Sequence, residues 1–290
     1  MKYDFIENHR PLWHVRSMCR VLKVSKAGYF LWRCDPEARR HSADRALTVK
    51  IAAIHHEQRK TYGSPRIHRE LRHQGTLVGR KRVERLMRQA GIRVTTPRRF
   101  VVTTDSAHDQ PIAPNLLEQD FQASMPNTKW VTDITYIRTG EGWLFLAAII
   151  DLFSRLVVGW AMAPNMETSM VVKALDMALD NRSPEPGLIH HSDRGSQYAS
   201  EAYRKALNDQ GITASMSRRG NCYDNADIES FWHSLKVELV HRREFATRDQ
   251  AEREIFEYIA VFYNRIRLHS SIGYLPPTVF EAINQPKEVA

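Results

Sequence analysis

The chain has 290 residues, a net charge of +9 and three cysteines. That length is sufficient for one sizeable core together with one or two small modules. An odd, scattered set of cysteines argues against a disulfide framework and suits a reducing compartment, and the absence of a Cys-x-x-Cys motif argues against a structural zinc site of the common kind. No run approaches the ~18 apolar residues of a membrane helix, and the N-terminus lacks a secretory signal. We therefore expect a cytoplasmic protein rather than a membrane or secreted one.

Positive charge is concentrated in the first part of the chain. Residues 1–120 contain 24 Lys and Arg against 12 Asp and Glu. Such a basic region indicates a polyanionic partner, although a solvated basic surface has the same composition. The pattern predicts an all-α region over 1–100, and a proline-rich linker over 101–126 with one short helix near Leu116. Strands and helices alternate over 127–290, where a C-terminal helical extension begins near residue 245.

The first region contains two pairs of short helices with helix-turn-helix spacing. The first pair covers residues 13–22 and 25–32, and the helices of the second pair begin at Ser64 and after Gly79. The last of these helices has one apolar stripe and several cations, which fits a DNA major groove. An amphipathic helix with a solvated face has the same pattern. The candidate DNA contacts on it are Arg80, Lys81, Arg82 and Arg85.

Alternating and apolar runs from residue 130 onward predict an α/β fold. Three adjacent antiparallel strands are followed by a helix, a strand, a helix, a short strand and a long helix. The predicted strands cover residues 130–137, 143–151, 156–162, 188–191 and 213–216, and the helices cover 169–179, 202–208 and 225–240. This is the element order of a ribonuclease-H-like fold, with a mixed five-stranded sheet.

Three carboxylates fall where such a fold could bring them together. Asp133 lies within the first strand, where a charge is costly unless it is paired or metal-bound. Asp193 follows the fourth strand, at an edge where sites form in α/β sheets. Glu229 lies on the last helix, which can pack across the sheet. Converging carboxylates are the ligands of two-metal phosphoryl transfer, although each acid alone is more often structural.

Several segments resemble the successive motifs of bacterial insertion-sequence transposases. They are WVTDITY at 130–136, HSDRGSQY at 191–198, GNCYDNADIESFW at 220–232 and LKVEL at 235–239. Residues 263–277, 62–67 and 79–83 resemble the C-terminal signature and the N-terminal helix-turn-helix module of the same proteins. The resemblance is to the IS-three family, second reading frame, which has a retroviral-integrase-like core, and it covers nearly the whole chain.

The resemblance places the catalytic triad on Asp133, Asp193 and Glu229. It implies a DNA transposase that cuts DNA and transfers strands with Mg²⁺ or Mn²⁺, two ions per active site. It also implies double-stranded DNA partners at the element ends and the target, a homo-oligomer on DNA, and an upstream-frame product as fusion or partner. A ribonuclease-H-like nuclease without strand transfer, or an inactive DNA-binding relic, remains the alternative.

Residues near the triad provide further candidates. Lys236 lies seven residues after Glu229 on one helix face together with Trp232, so it is a candidate DNA contact. Asp151 is the acid that competes most directly with the triad, whereas Asp224 suits a cap or turn. The other candidate DNA contacts are Arg194 and Gln197 after Asp193, and Arg218 and Arg219 before the last helix.

Overall fold

The computed structural model describes residues 2–34, 38–94, 110–218 and 222–284. These residues divide into two compact units, one on each side of the gap at 95–109. In the described residues, we find no helix with both the length and the apolar character that crossing a membrane requires.

The first unit is entirely helical in its described part, as the sequence predicts. Its helices are Lys2–His9 (α1), Val15–Val21 (α2), Lys26–Cys34 (α3), Ala38–Glu57 (α4), Ser64–His73 (α5) and Arg80–Gln89 (α6). Ile6 of α1 packs with Met18 and Tyr29 in one small core. Helices α4, α5 and α6 pack on one another. The two predicted pairs correspond to α2 with α3 and to α5 with α6, whereas the sequence pattern did not indicate α1 or α4.

The second unit contains a mixed five-stranded sheet, which confirms the predicted fold class. Its strands are Lys129–Thr139 (β1), Gly142–Asp151 (β2), Val157–Ala163 (β3), Ile189–Ser192 (β4) and Thr213–Met216 (β5). The strand order is β3-β2-β1-β4-β5. The first three strands are antiparallel, and β4 and β5 run parallel to β1.

Helices cover this sheet and extend beyond it. They are Thr168–Arg182 (α7), Ser196–Ala199 (α8), Glu201–Asp209 (α9), Ala226–Glu238 (α10), Arg248–Glu257 (α11) and Pro277–Asn284 (α12). A π-helical turn, Tyr258–Tyr263, follows α11. The main core lies between the sheet and α7 to α9. Gly159 of β3 permits the approach of α7, because a Cβ there would overlap the Ala174 carbonyl.

Strand β1 is longer than its parallel neighbour, and this difference positions helix α10. Strand β4 pairs with β1 only at Lys129, Trp130 and Val131. Helix α10 packs against β1. One helix can therefore place its side chains beside residues in the middle of β1.

The predicted short helix near Leu116 is wrong. Residues 117–119 form a turn, in which the Asn115 side chain accepts hydrogen bonds from the backbone N–H groups of Leu117 and Glu118. The side chain thus satisfies the local backbone donors that a helix would have used.

Candidate active site

Asp133 lies on β1, and Asp193 lies just beyond the end of the neighbouring strand β4, at the equivalent position in the register. Val131 of β1 pairs with His191 of β4 in a parallel register. Each aspartate follows its paired residue by two positions, and neighbouring strands are separated by about 4.8 Å. The register of two strands therefore brings together acids that are 60 residues apart in the sequence.

Asp133 is a partly buried acid whose charge is disfavoured. Burial and the negative charge of Asp193 raise the pKa of Asp133 to about 8, and Glu229 contributes more weakly in the same direction. The indole Nε1 of Trp232 donates a hydrogen bond of 2.9 Å to Asp133 Oδ2 and favours the ionised form. Such a like-charge pair is characteristic of a functional site rather than of a structural ion pair.

Asp193 lies in the loop that joins β4 to α8. Its Oδ1 accepts a hydrogen bond of 2.9 Å from the backbone N–H of Gly195, which fixes the start of that loop. A Cβ at position 195 would lie 3.0 Å from the same oxygen, so glycine suits the tight turn.

Glu229 is the outlying member of the predicted triad. It lies in the first turn of α10, is partly buried, and has a pKa raised by that burial. Across residues 2–34, 38–94, 110–218 and 222–284, no three or more His, Cys, Asp or Glu side chains are grouped closely enough to hold a metal ion. The structure therefore brings two of the three predicted carboxylates together and does not group Glu229 with them at metal-binding distance.

The chemistry of these side chains fits a hard divalent cation. Carboxylate oxygens are the ligands that Mg²⁺ prefers in proteins. The pKa of Asp133 is raised by burial and by a neighbouring negative charge, and a bound cation would oppose both effects. Asp133 and Asp193 can thus supply the first oxygens of a metal site, and Glu229 is a further acid on α10 whose charge already acts on Asp133.

Trp232 is a residue of this site that the sequence pattern did not assign. It is buried, and it links α10 to the middle of β1 through Asp133. The available signal was its position three residues after Glu229, which places both on one helix face. Sequence alone did not show that its N–H group meets an acid on another element.

Lys236 occupies the same side of α10, one turn beyond Trp232. Its Nζ lies 5.3 Å from the centroid of the Tyr136 ring, and the charge of Asp133 acts on it. Burial lowers the pKa of Lys236, whereas Asp133 opposes that shift. The predicted cation is therefore placed near Asp133.

The remaining predicted contacts near the sheet are engaged with the protein's own groups. Arg194 Nε donates to the Ser217 carbonyl at 2.7 Å, and Gln197 Nε2 donates to the Met166 carbonyl at 3.1 Å. Arg219 lies outside the described residues.

Arg218 forms a bidentate pair with buried Asp224. Its Nε and terminal nitrogen lie 3.0 and 2.8 Å from the two carboxylate oxygens, and its backbone N–H also donates to Asp224. Asn115 and Gln119 donate to the same carboxylate. The Arg218 side chain holds the pKa of Asp224 well below its usual range. Asp224 thus holds the segment just before α10, the helix that carries Glu229, against the loop at residues 115–119 and against Arg218.

Two further acids outside the predicted triad, Asp151 and Asp227, have structural partners. Asp151 is fully buried and accepts hydrogen bonds from the backbone N–H groups of Asn127 and Phe153. Arg182 forms an ion pair with it at 3.3 Å. Asp227 forms an ion pair with Arg155. Each of these acids is therefore paired with an arginine of the protein itself.

Two histidines next to Asp193 are neutral groups of the core. His190 is hydrogen-bonded to the Tyr203 hydroxyl at 2.7 Å, and burial lowers the pKa of His190 to about 3. His191 is hydrogen-bonded to Ser215 and Ser217, and burial lowers the pKa of His191 to about 4. These hydrogen bonds link His190 to α9, which carries Tyr203, and His191 to β5 and the residue after it.

The candidate DNA contacts of the first unit separate into two groups. Arg80 and Lys81 are exposed at the start of α6. Arg82 and Arg85 both form ion pairs with Asp44 of α4, at 2.6 and 2.8 Å. The first two are displayed to solvent, whereas the second two tie α6 to α4.

Family comparisons agree with both units. Two family models described as "Integrase core domain" match residues 123–222 and 229–284, and one described as "HTH-like domain" matches residues 42–100. The chain is 44% identical over 287 residues to the Transposase InsF for insertion sequence IS3A of Escherichia coli strain K12, covering 98% of this chain and 99% of the relative. It is 46% identical over 263 residues to an Insertion element IS600 uncharacterized 31 kDa protein of Shigella sonnei, covering 91% and 97%.

Solved integrase structures show a weaker similarity. A simian T-cell lymphotropic virus intasome, in complex with PP2A regulatory subunit B56 gamma, aligns with 14% identity and a TM-score of 0.48, covering 83% of this chain and 76% of that one. The HTLV-2 integrase catalytic core domain in complex with magnesium aligns with 14% identity and a TM-score of 0.42, covering 55% and 99%. On the strength of the near full-length relatives and the matching family models, this chain belongs to the IS3-family insertion-sequence transposases, which have an integrase core.

Proposed function

We propose that Asp133, Asp193 and Glu229 are the catalytic carboxylates of this transposase and that together they hold two divalent cations, Mg²⁺ or Mn²⁺. The observation that carries the proposal is the parallel register of β1 and β4, which juxtaposes Asp133 and Asp193. Their repulsion is costly for a folded protein unless a cation is bound. Completing the ligand set requires Glu229, in the first turn of α10, to approach the two aspartates.

The chain's own groups have distinct roles in the proposed reaction. When bound, the cations supply Lewis acidity for attack by water or a 3′-hydroxyl on a phosphodiester. Trp232 orients the Asp133 carboxylate through its hydrogen bond to Oδ2. Lys236 lies beside Asp133 and contacts a neighbouring DNA phosphate. Water as the nucleophile cleaves the P–O3′ bond and frees a 3′-hydroxyl. That hydroxyl then attacks a second phosphodiester, forms a new P–O bond and displaces the 3′-oxygen of the attacked strand, which leaves as a hydroxyl.

Strand transfer separates this proposal from a nuclease with the same fold. The assay supplies a duplex that ends in the terminal sequence of the element, a supercoiled target plasmid and Mg²⁺. We expect joined products in which the 3′ end of the duplex is covalently attached to the plasmid. Nicking without joined products would favour a ribonuclease-H-like nuclease, and absence of both reactions would favour a DNA-binding relic.

Replacing Trp232 by Phe tests the orienting hydrogen bond. Phe keeps an aromatic ring but cannot donate to Asp133, so we expect the apparent affinity for the divalent cation to fall about 10–100-fold. Mn²⁺ binding measured by calorimetry and cleavage measured over a range of Mg²⁺ concentrations both report the change. Trp160→Phe on β3 is the matched control. Unchanged metal affinity and cleavage in Trp232→Phe would refute an orienting role.

We also propose that the first unit binds double-stranded DNA through α6. The exposed pair Arg80 and Lys81 supports this role, and the match to an HTH-like family agrees with it. Arg82 and Arg85 instead stabilise the unit through Asp44.

The salt dependence of DNA binding distinguishes these two groups. Replacing Arg80 and Lys81 by Ala should reduce the slope of log affinity against log salt by about 0.9 for every phosphate that the variant no longer neutralises. Arg82→Ala should mainly lower the melting temperature, because Asp44 is left with one arginine instead of two. Arg72→Ala, an exposed change on α5, serves as the control. An unchanged salt slope in the double variant would contradict a role for α6 in binding phosphates.

The proposed function also includes a cellular compartment, an oligomeric state and partners. We propose that the protein works in the cytoplasm on element ends and target DNA, as a homo-oligomer assembled on DNA. An upstream-frame product, fused or separate, is a proposed partner. Size-exclusion chromatography with light scattering, with and without element-end DNA, measures the assembly. A chain that stays monomeric on paired ends would contradict it.

A further inference from the structure

The far end of the β1–β2 hairpin carries an aromatic surface that the proposed chemistry does not use. Trp143 is 48% exposed, although indole groups of this size are usually covered. Its ring meets that of Tyr136 edge-on, with centroids 5.0 Å apart. Lys236 Nζ lies 5.3 Å from the centroid of the same Tyr136 ring. Tyr136, Trp143 and Lys236 thus form one continuous surface, the hairpin patch.

A second cation borders the hairpin patch. Arg138 is paired directly with Trp143 across the hairpin, and residues paired in this way project to the same face. Arg138 is exposed. An exposed aromatic ring flanked by cations is the combination that binds single-stranded nucleic acid, because bases stack on the ring and phosphates pair with the cations.

The backbone beneath the hairpin patch is held in place. The Trp143 carbonyl accepts a hydrogen bond of 3.0 Å from Arg248 Nε of α11, and the Gly140 N–H donates to the Phe245 carbonyl at 2.8 Å. Thr139 Oγ1 donates to the Gly142 carbonyl within the turn at 2.7 Å. The exposed indole therefore projects from an ordered turn, which reduces the entropy lost when a ligand binds.

The hairpin patch lies close to the proposed catalytic carboxylates. Tyr136 follows Asp133 by three residues on β1, which is on the order of 10 Å along the strand at ~3.3 Å per residue, and the two side chains leave opposite faces of the strand. Lys236 lies between the hairpin patch and Asp133, since its Nζ lies over the Tyr136 ring and the charge of Asp133 acts on it. A distance of ~10 Å corresponds to roughly three nucleotide steps along a DNA strand.

We propose that the hairpin patch stacks an unpaired base of the DNA strand, within about three nucleotides of the phosphate that is cut. Trp143 provides the stacking face, and Lys236 and Arg138 contact the flanking phosphates. The proposal rests on the proposed function of Asp133 and Asp193. A second copy of the chain docked here would have to desolvate both cations, whereas DNA phosphates would pair with them.

Equilibrium binding without divalent metal tests this proposal, because no strand is cut under those conditions. The probes are a labelled duplex with a short single-stranded 3′ end and a blunt duplex of the same sequence. We expect Trp143→Ala to bind the first probe about tenfold more weakly, with little change for the blunt duplex. Trp143→Phe should restore most of the affinity. Phe256→Ala, which alters a comparably exposed aromatic residue on α11, should leave both affinities unchanged.

Fluorescence provides a second readout of stacking. A 2-aminopurine in the single-stranded end should be quenched on binding to the unaltered chain and should remain bright with Trp143→Ala. Equal affinity of Trp143→Ala for the single-stranded end, an equal loss on both probes, or a changed oligomeric state with unchanged DNA binding would each overturn the proposal. The binding and fluorescence assays measure no cleavage, so they test only the hairpin patch. The proposed function is tested separately, by measuring cleavage by the Asp193→Asn variant.

Discussion

Asp193→Asn should reduce Mg²⁺-dependent DNA cleavage by at least about 10³-fold while leaving DNA binding intact. The amide keeps the shape of the side chain but removes a charged metal ligand, and the lost Lewis-acid stabilisation is worth several kcal/mol. The variant should fold at least as well as the parent, because its change relieves repulsion with Asp133. Single-turnover cleavage, DNA binding and thermal unfolding measure the three properties on one preparation.

The matched control for this change is Asp176→Asn. Asp176 is exposed on α7, so the same chemical change there should leave cleavage, binding and stability unaltered. Full cleavage by Asp193→Asn with Mg²⁺ would remove Asp193 from the catalytic set. A loss of stability without a loss of cleavage would show that the acid is structural.

Arg267→Leu should lower the free energy of unfolding by about 3–5 kcal/mol. Arg267 is buried and forms a bidentate pair with buried Glu238, at 2.8 Å to each carboxylate oxygen. Without the guanidinium, the Glu238 carboxylate stays in the core beside the neutral Tyr258 hydroxyl, which donates to it at 2.8 Å. Glu238 ends α10, so cleavage should fall as well, because the same helix carries Glu229. Urea unfolding measures the stability change.

Arg243→Leu is the control for the buried pair. Arg243 forms an ion pair with Glu254 at 2.6 Å, but 57% of its side chain is exposed. Exposed pairs contribute little, so we expect a change within about 1 kcal/mol. Equal effects of the two substitutions would contradict the idea that α10 depends on a buried anchor.

The core of the fold could be predicted because its elements have strong periodic patterns. The apolar run that became β2 and the alternating run that became β1 each match a strand in the structure. The long helix α4 could not be placed in the same way. Its exposed Ala46, Ala52 and Ala53 spread apolar character around the helix, so its buried stripe is hard to recognise.

The candidate site could be predicted in part, because residue type and element order indicate which acids can meet. The sequence places Asp133 within a predicted strand and Asp193 at the end of another. The parallel pairing of these two strands brings the two acids near each other. The partners of the arginines could not be predicted. Arg82 and Arg85 meet Asp44, which is about 40 positions away in the sequence, and such pairings depend on tertiary packing. Trp232 was on the predicted face, but its hydrogen bond required the three-dimensional arrangement.

Iron-directed cleavage of the polypeptide tests the central claim most directly, because it locates the cation without relying on activity. Fe²⁺ takes the place of Mg²⁺, and ascorbate with peroxide generates hydroxyl radicals that cut the backbone beside the bound ion. Our proposal predicts cuts in β1 around Asp133 and in the loop after β4 around Asp193, both lost in the Asp133→Asn and Asp193→Asn double variant. Cuts confined to other elements, or cuts that persist in the double variant, would contradict it.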